Sequence, residues 1–590
     1  MLANSKPTLK KIVIVGGVAG GMSAAARARR LSEKSEIIVL ERSGYVSYAN
    51  CGLPYFLGGE IESREDLVVQ TPASLLNRFN LDIRVHHEVA EIDAKAKQVS
   101  IKNLTTGNTY RESYDDLILS TGASPIRPRV KGIDSAGVFA LRSIEDVDSI
   151  QSWLDTQKPR RAVIAGGGFI GLEMAEQLTR KGLSVTLIDS KDQVLAPIDP
   201  EMAAHAHSEL RKHGVKLVLG APISAFLAPE EKVSSVADTP KSCWVLAGDN
   251  APVPADIVIL GLGIRPEVSL ARKAGLVIGK QGGIRVNEKL QTSSPHIWAV
   301  GDAIEVHHPL SGEWTLIALG GPANRQGRIA ANNILGASDA YCGTIGTAVL
   351  RIFDLTVASV GLNEGQLKTS TIPYELVYVH PTNHASYYPG AARLDMKVLF
   401  HKETGVLLGA QVIGKDGTDK RIDVLATAIK AHMTIRDIAE LELAYAPPFG
   451  SAKDPINLAG MTGTNLLDGF LEQVHYHQIA ALRESGVCLI DVRSDEERAR
   501  GFIDGSIHIP LPELRKRLLE IPSGTNVVTY CQSGQRSYIA YRVLKQNGFN
   551  VKNLSGGYLT WASNLSADQN APFAQGLAPS AVASHGANKV

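Results

Sequence analysis

The stretch KIVIVGGVAGGMSAAARARRLSEKSEIIVLE, residues 11–41, decides the fold of this chain. An apolar run leads into a glycine-rich turn, an alanine-rich segment follows, and a second apolar run ends at Glu41. This order predicts a strand, a tight turn, a helix and a parallel strand. Glu41 stands 20 residues after Gly21, where a carboxylate can accept hydrogen bonds from ribose hydroxyls. The stretch therefore predicts a dinucleotide site, and a βα turn without a ligand is the alternative.

The glycine turn departs from the pattern GxGxxG at one position, because Val18 stands where the middle glycine is expected. Glycine permits the tight turn, and the unpaired N–H groups at the start of the helix can bind a pyrophosphate. We expect this nucleotide to be bound by Gly16, Gly17, Ala19, Gly20, Gly21, Glu41 and Arg42.

A second copy of the same pattern lies at residues 161–189, RAVIAGGGFIGLEMAEQLTRKGLSVTLID. Gly166, Gly168 and Gly171 complete GxGxxG, and Asp189 stands 18 residues beyond the last of them. A carboxylate there repels a 2′-phosphate, so we expect NADH to be favoured over NADPH. Lys191 lies close by in the sequence and moderates that preference.

These two units, with one short motif between them and another after the second unit, together resemble the two-dinucleotide-binding flavoprotein disulfide reductase family. Thr121 and Gly122, after the apolar LILS, match a short motif at which the chain of that family comes back to its FAD domain. Asp302, in IWAVGD, matches the residue that contacts the flavin ribityl chain. The resemblance covers roughly residues 1–330, and it implies FAD in the first site and NADH in the second.

The fold class implied by the resemblance is α/β, with two Rossmann-like dinucleotide-binding domains and an α+β dimerisation domain, and a further α/β domain follows at the C-terminus. The expected limits are 1–155 and 276–330 for the two parts of the FAD domain, 156–275 for the NAD(H) domain, 331–460 for the dimerisation domain, 461–469 for a linker, 470–565 for the C-terminal α/β domain and 566–590 for a disordered tail.

A lone cysteine, Cys51, lies in the motif SYANCGLPY at residues 47–55. Family members with an internal disulfide carry CxxxxC, whereas this chain has Phe56 at the second position. A single thiol must form a mixed disulfide with an external thiol, or a sulfenic acid. Ser47 and Asn50 flank the cysteine, and we expect them to contact the substrate.

The same motif resembles the coenzyme A-disulfide reductase branch of the family, which uses one active-site cysteine. The resemblance implies a substrate with phosphates, for which we nominate Arg27 and Arg30, with ordinary surface salt bridges as the alternative. The NADH oxidases and peroxidases share the single cysteine but usually carry a histidine in the first glycine turn, where this chain has Ala19. An oxidase or peroxidase is one alternative function, and a redox-sensing flavoprotein is another.

Two tyrosine motifs support the same branch. Tyr387 in HASYYPG and Tyr445 in AYAPP resemble tyrosines of its dimerisation domain that reach the partner subunit's cysteine. The resemblance implies a homodimer in which these phenols assist catalysis, with Tyr387 preferred to Tyr388. Packing in the dimer interface is the alternative role.

The C-terminal part resembles a single rhodanese domain, through DVR, HIP, the loop that begins at Cys531, and a closing SGGY with a tryptophan. A cysteine at a helix N-terminus faces converging N–H groups, which stabilise a persulfide anion, and Arg536 adds positive charge. Phe502 and Gln532 depart from the common pattern. A non-catalytic binding module is the alternative.

The composition narrows the setting of these domains. A formal net charge of +1 gives no global attraction to nucleic acid or to an anionic membrane. No segment approaches the roughly 18 apolar residues of a membrane helix. The five cysteines are scattered without CxxC or zinc spacing, so we expect a cytoplasmic protein without a metal.

Together the resemblances imply an enzyme that uses NADH and FAD to reduce the sulfur–sulfur bond of coenzyme A persulfide, polysulfide or coenzyme A disulfide. Coenzyme A is either the substrate or a bound cofactor. Cys531 would carry sulfane sulfur, and a protein donor or acceptor of that sulfur is an open alternative.

Overall fold

The structure is a computed structural model, and it describes residues 9–231 and 239–565. The expected disordered tail at 566–590 lies outside the described residues. The chain forms two compact units, Met1–Asp192 with Gly214–Gly346, and Gln193–His213 with Thr347–Val590.

The first part of the chain contains the following elements. They are β1 Lys11–Val15, α1 Ala19–Leu31, β2 Glu36–Glu41, α2 Leu53–Gly58, α3 Pro72–Phe79, β3 Asp82–Val85, β4 His87–Asp93, β5 Gln98–Asn103, β6 Thr109–Ser113, β7 Asp116–Leu119, β8 Ala123–Pro125, β9 Val138–Ala140 and α4 Ile144–Gln157.

The middle part continues to residue 334. Its elements are β10 Arg161–Ala165, α5 Phe169–Arg180, β11 Ser184–Ile188, α6 Pro200–Lys212, β12 Lys216–Val218, β13 Ile223–Leu227, β14 Cys243–Ala247, β15 Val253–Ala255, β16 Ile257–Leu260, β17 Ile264–Pro266, α7 Ser269–Lys273, β18 Ile284–Arg285, β19 Ile297–Ala299, β20 Ile304–His307, β21 Trp314–Thr315 and α8 Gly320–Ile334.

The last part begins at residue 348. Its elements are β22 Ala348–Ile352, β23 Leu355–Gly361, α9 Glu364–Thr369, β24 Tyr374–Val379, β25 Leu394–His401, β26 Leu407–Gly414, α10 Thr418–Lys430, α11 Ile435–Glu440, α12 Pro455–Leu467, β27 Gln473–Val474, α13 Ile479–Glu484, β28 Cys488–Asp491, α14 Asp495–Ala499, β29 Ile507–His508, β30 Val527–Tyr530, α15 Gln535–Gln546, β31 Val551–Leu554 and α16 Gly557–Leu565.

Two parallel sheets form the centre of the first unit. Their strand orders are β19-β7-β1-β2-β3 and β12-β11-β10-β16-β9. The central strands β1 and β10 are continuous apolar runs because helices cover both faces of such sheets. Helix α8 crosses α1 so closely that a Cβ at Gly327 would lie 2.2 Å from the carbonyl oxygen of Gly20. Each predicted βαβ unit is therefore present.

The second unit contains an antiparallel sheet and a parallel one. The antiparallel sheet has the order β22-β23-β26-β25-β24, and the parallel sheet has the order β27-β31-β30-β28-β29. The antiparallel sheet lies in the segment expected to be the dimerisation domain, and the parallel sheet lies in the segment expected to be the rhodanese domain. The predicted α/β fold class is confirmed.

Helix α6 belongs to this second unit, where its acidic N-terminus contacts a buried lysine. Lys397 on β25 is fully buried, and its Nζ lies 2.8 Å from Asp199, 2.6 Å from Glu201 and 2.7 Å from Glu364. Buried charges must be paired, and one ammonium group here contacts three carboxylates. This cluster joins α6 to the antiparallel sheet.

The segment 461–469, which we expected to be a linker, differs from that expectation. Helix α12 continues through it to Leu467, and Gly460 and Gly463 allow the helix to pack closely on its neighbours. A Cβ at Gly460 would lie 2.4 Å from the backbone nitrogen of Ala439. Residues 461–467 are therefore part of a packed helix.

None of the helices in residues 9–231 and 239–565 combines the length and the apolar character that crossing a membrane requires.

Candidate active site

The first glycine turn leaves no room for side chains. Gly16 has φ +103°, and a Cβ there would lie 2.1 Å from the carbonyl oxygen of Ser120. A Cβ at Gly21 would lie 1.9 Å from the carbonyl oxygen of Gly16. The buried carboxylate of Glu41, at the end of β2, accepts a 2.8 Å hydrogen bond from the Gly17 N–H. These contacts fix the turn at the start of α1.

The second glycine turn repeats this arrangement. Gly166 has φ +107°, and the carboxylate of Asp189 accepts a 2.6 Å hydrogen bond from the Gly167 N–H. A Cβ at Gly171 would lie 2.0 Å from the carbonyl oxygen of Gly166. At Gly168 the space is open, since the nearest atom to a Cβ there would be 3.9 Å away. A ligand can therefore approach the backbone at that glycine.

Both turns fit a dinucleotide. Helices α1 and α5 each begin without a side-chain hydrogen bond to their first N–H groups and without an acidic residue in the first turn. Those N–H groups can bind a pyrophosphate, and Glu41 or Asp189 can accept from a ribose. Ala19 is the first residue of α1, Gly20 is buried in its first turn, and Arg42 is exposed beside Glu41.

The predicted flavin contacts lie in the same unit. Thr121 donates a 2.7 Å hydrogen bond to the carbonyl of Glu267, and Gly122 has φ +68°. Asp302 lies in a single 3₁₀ turn, and desolvation raises the pKa of its carboxyl group while Arg142 opposes that shift. An acid in these surroundings can bind a neutral hydroxyl-rich chain.

Cys51 is exposed and lies in a 3₁₀ turn at Asn50–Gly52 that leads into α2. Desolvation raises the pKa of its thiol, and the carboxylates of Glu173 and Asp302 raise it further. The hydroxyl of Tyr55 donates a 3.1 Å hydrogen bond to Glu173. The sequence did not identify Glu173 as a neighbour of the thiol, because Glu173 lies on α5, the helix that follows the second glycine turn.

The residues beside Cys51 have different positions. Ser47 has φ +46°, and its N–H donates a 2.8 Å hydrogen bond to the carbonyl of Gly17, so the cysteine loop is anchored to the glycine turn. Asn50 is exposed next to the thiol. The backbone of Ser47 therefore positions the loop, and the side chain of Asn50 is exposed to a ligand.

The arginines nominated for phosphate binding lie on α1. Arg27 donates a 2.6 Å hydrogen bond to Asn332, and Arg30 is exposed. Desolvation lowers the pKa of Arg27, and the positive charges of Arg328 and Arg30 lower it further. The carboxylate of Asp339 acts in the opposite direction, so Arg27 has two cationic neighbours and one anionic neighbour.

The two candidate tyrosines are brought together in the second unit. The hydroxyl oxygens of Tyr387 and Tyr445 lie 3.2 Å apart, and the two side chains are 75% and 49% exposed. Tyr388 instead packs edge-on against His384, with ring centroids 5.7 Å apart. The exposed phenol pair is available to a partner molecule.

A buried arginine supports both tyrosine loops. Arg421 donates a 2.7 Å hydrogen bond to the carbonyl of Asn383 and forms a 2.7 Å ion pair with Asp454. Asn383 precedes Tyr387, and Asp454 begins α12 after Tyr445. The sequence gave no local signal for Arg421, because its partners are distant along the chain.

Cys531 is fully buried at the start of α15, where donors face its sulfur. The Gly534 N–H lies 3.2 Å from Sγ, and the Ser537 hydroxyl lies 3.5 Å from it. Arg536 pairs with Glu497 through contacts of 2.8 and 2.6 Å. That hydrogen bond is the main cause that raises the pKa of Arg536, and the charge of Cys531 adds to it.

The unusual Gln532 has a partner in this unit. Its side-chain oxygen accepts a 3.2 Å hydrogen bond from Arg493, which is buried and also pairs with Asp491 at 2.9 Å. The arginine that is common at position 532 could not accept this bond. The DVR motif was the only sequence signal for Arg493.

Comparison with known proteins covers both units. Residues 10–327 match the family model Pyridine nucleotide-disulphide oxidoreductase, residues 347–454 match the dimerisation domain of that family, and residues 476–564 match the Rhodanese-like domain.

Curated relatives match the reductase part of the chain. The coenzyme A disulfide reductase of Staphylococcus epidermidis is 35% identical over 453 residues, which are 77% of this chain and 99% of that protein. The NADH oxidase of Methanocaldococcus jannaschii is 34% identical over 450 residues, which are 76% of this chain and 97% of that protein.

Two solved structures match nearly the whole chain. The reduced Bacillus anthracis CoADR-RHD has a TM-score of 0.92 and 48% identity, covering 95% of this chain and 99% of that one. The NAD-dependent persulfide reductase from A. fulgidus has a TM-score of 0.86 and 37% identity, covering 93% of this chain and 100% of that one.

Proposed function

The chain belongs to the pyridine nucleotide-disulphide oxidoreductase family, and on that premise we propose that it uses NADH to reduce a sulfur–sulfur bond of coenzyme A persulfide, polysulfide or coenzyme A disulfide. FAD and NADH are the cofactors of this chain, and the two glycine turns fit them. The observation that carries the substrate proposal is the exposed single thiol of Cys51, anchored beside the first glycine turn, in a chain that also contains a rhodanese-like domain.

Cys51 performs the sulfur chemistry in this proposal. FAD, held by the first glycine turn and Glu41, would supply this thiol with two electrons that come from NADH. The Cys51 thiolate attacks one substrate sulfur, so that a mixed disulfide forms as the substrate sulfur–sulfur bond breaks, and the leaving thiolate takes a proton. Two electrons then cleave the mixed disulfide, which releases the second product and restores the thiolate.

A proton donor is required for the leaving thiolate, and the phenol pair suits that role. We assign it to Tyr387 and Tyr445, acting on Cys51 of the partner subunit in a homodimer. The support is their exposure, their mutual hydrogen bond and the matched dimerisation domain. A phenol can donate a hydrogen bond without carrying a charge.

Coenzyme A chemistry gives the remaining nominated residues their roles. Arg27 and Arg30 bind the phosphates, and Ser47 and Asn50 orient the end that carries sulfur. The support is the excess of positive charge near Arg27, where Arg328 and Arg30 outnumber the carboxylate of Asp339. Coenzyme A is the substrate or a bound cofactor in this scheme.

The rhodanese-like domain carries sulfane sulfur on Cys531, with Arg536 beside it, and a protein donor or acceptor of that sulfur is part of the proposal. The support is the set of donors that face Sγ. The domain limits given above are proposed on the same basis, with residues 461–467 assigned to the last helix of the dimerisation domain. A cytoplasmic location is proposed because all five cysteines are free thiols.

An NADH oxidase is the second candidate, and the Methanocaldococcus jannaschii relative favours it. Against it stands Ala19 at the start of α1, where an oxidase or peroxidase usually has a histidine. NADH consumption by the purified protein, measured with coenzyme A persulfide, polysulfide, coenzyme A disulfide and peroxide in parallel, tests the proposal. We expect NADH consumption with the sulfur substrates. NADH consumption only with peroxide or oxygen, and not with any sulfur substrate, would contradict the proposed function.

A further inference from the structure

A chain of buried hydrogen bonds joins the antiparallel sheet of the second unit to its rhodanese-like part. Nδ1 of His380, just after β24, lies 2.5 Å from the carboxylate of Asp395 on β25. Nε2 of the same ring lies 2.9 Å from the hydroxyl of Thr560 on α16. Two residues of the dimerisation domain are thus connected to a helix of the rhodanese-like domain.

All three groups of this chain are enclosed. The side chains of His380 and Asp395 are 4% and 6% exposed, and Thr560 is 4% exposed. Burial opposes ionisation of Asp395, but His205 and Arg393 outweigh it and lower the pKa of that carboxyl group. Asp395 therefore remains a carboxylate that accepts from Nδ1–H of His380, which directs Nε2 towards Thr560.

The order of acid, histidine and hydroxyl matches that of a hydrolase triad, but access excludes that role. A Cβ at Gly556 would lie 2.0 Å from the Thr560 hydroxyl and 2.8 Å from Cβ of Tyr378. Gly556 and Cβ of Tyr378 thus lie close around the Thr560 side chain, which is almost fully buried, so no substrate carbonyl can reach the hydroxyl.

Helix α16 contacts the loop that carries Cys531. The Tyr558 N–H donates a 2.8 Å hydrogen bond to the carbonyl of Cys531, and the Leu559 N–H donates a 3.0 Å bond to that of Gln532. A Cβ at Gly557 would lie 2.5 Å from the Cys531 carbonyl oxygen. The first turn of α16 therefore fixes two carbonyl groups of the loop.

Fixing those carbonyl groups also fixes the donors on the other side of the loop. The peptide planes at Cys531 and Gln532 set the course of the chain to Gly534, whose N–H faces Sγ at 3.2 Å. A sulfur anion is stabilised only while such donors stay aimed at it. The placement of α16 is thus coupled, through two carbonyl groups of the loop, to the position of a donor to Sγ.

We propose that His380 of the dimerisation domain is a positioning residue for the Cys531 loop, and that it acts through Thr560 and α16. This inference rests on the proposed sulfur-carrying role of Cys531. It makes sulfur transfer by the rhodanese-like domain dependent on a residue outside that domain, while reduction at Cys51 does not depend on it.

Matched variants at Thr560 in the full chain test this inference. Sulfur transfer from thiosulfate to cyanide and NADH-dependent reduction of coenzyme A disulfide are measured on the same preparations. Thr560→Val removes the hydroxyl at nearly constant volume, and we expect kcat for sulfur transfer to fall about tenfold, the equivalent of one net hydrogen bond of about 1.4 kcal/mol. Thr560→Ser keeps the hydroxyl and should restore the rate, with reductase activity unchanged in both.

A second pair of variants keeps the test valid if Thr560→Val fails to fold. His380→Gln places an amide near the position of Nε2, within reach of Thr560, whereas His380→Asn reaches only the position of Nδ1. The kcat for sulfur transfer should therefore be higher in His380→Gln than in His380→Asn. A purely structural role would instead lower the melting temperature and both activities together.

Two results are decisive against the inference, and they are distinguishable. Equal sulfur transfer by the wild type, Thr560→Val and His380→Asn would overturn the positioning role alone. Equal rates of sulfur transfer in the wild type and Cys531→Ser would instead show that Cys531 does not carry sulfur, and the inference would then fail together with that proposed role.

Discussion

The hydroxyl oxygens of Tyr387 and Tyr445 lie 3.2 Å apart, although 58 residues separate them in the sequence. Their loops leave the antiparallel sheet and α11 at different points and meet where the Ala385 N–H donates a 2.9 Å hydrogen bond to the carbonyl of Gly450. Burial does not explain the pair, since both rings are exposed. An exposed and oriented phenol pair is what a proton donor to a leaving thiolate requires.

Removing one of these hydroxyl groups should slow the reaction. We expect Tyr445→Phe and Tyr387→Phe each to lower kcat for coenzyme A disulfide by about tenfold to a hundredfold, near the low end of general acid catalysis. Tyr388→Phe is the matched control, because its ring packs on His384, and it should change kcat little. Stopped-flow reduction of the flavin by NADH should be equal in all three. A loss in Tyr388→Phe as large as in Tyr387→Phe would contradict the assignment.

The buried pair of Arg421 and Asp454 should stabilise the base of the phenol loops. Arg421→Leu leaves Asp454 buried without its partner, and we expect a loss of about 3–5 kcal/mol in the free energy of unfolding of the second unit. The double variant Arg421→Leu with Asp454→Leu should lose less than the single variant, because no unpaired charge remains. Urea unfolding measures both, and equal losses would show that the ion pair is not the cause.

Coenzyme preference should depend on Asp189. Its carboxylate is fixed by the Gly167 N–H where a ribose 2′-phosphate would lie, so we expect kcat/KM for NADH to exceed that for NADPH by about tenfold or more. Asp189→Ser should narrow this ratio, while Asp192→Ser, a carboxylate three residues further on, should leave it unchanged. A preference of the wild type for NADPH would show that Lys191 outweighs the acid.

One buried histidine and one half-buried histidine should make stability depend on pH. Desolvation lowers the pKa of His207 and of His475 to about 4, and Nε2 of His207 accepts a 3.1 Å hydrogen bond from the Val194 N–H. The unfolded chain, with a pKa of about 6.5, binds more protons than the folded one between these values. Stability is therefore full above about pH 6.5 and is lost as the pH falls towards 4.

Urea unfolding at several pH values between 7.5 and 4.5 measures this dependence. The urea midpoint of the second unit should fall with pH in the wild type and fall less in His207→Gln, whose side-chain amide oxygen lies near the position of Nε2 and can still accept the bond from the Val194 N–H. An equal slope in the two proteins would show that His207 does not contribute.

Local patterns accounted for the nucleotide turns, because each depends on residues close in sequence. Gly16, Gly166 and the carboxylates after β2 and β11 follow from the geometry of one βαβ unit, and the structure contains both units. The fold class and the family were predictable for the same reason. The roles of Cys51, Cys531 and the tyrosines remain predictions.

Contacts between distant segments were beyond the sequence. The bond from His380 to Thr560 spans 180 residues, and no period or motif couples the two positions. Arg421 and Lys397 are charged residues, which are usually exposed, and nothing in the nearby sequence indicates the carboxylates that pair with them in the interior. Most of the linker expected at 461–469 is helical, because α12 packs closely on α11 through Gly460, and no local pattern reports that contact.

The central claim is that Cys51 alone performs the reduction while Cys531 carries sulfur. The measurement that tests it most directly is NADH consumption with coenzyme A disulfide by Cys51→Ser and Cys531→Ser, alongside sulfur transfer from thiosulfate to cyanide. We predict that Cys51→Ser abolishes reduction although NADH still reduces its flavin, and that Cys531→Ser keeps reduction but loses sulfur transfer. Full reductase activity in Cys51→Ser, or equal loss of both activities in Cys531→Ser, would contradict the account.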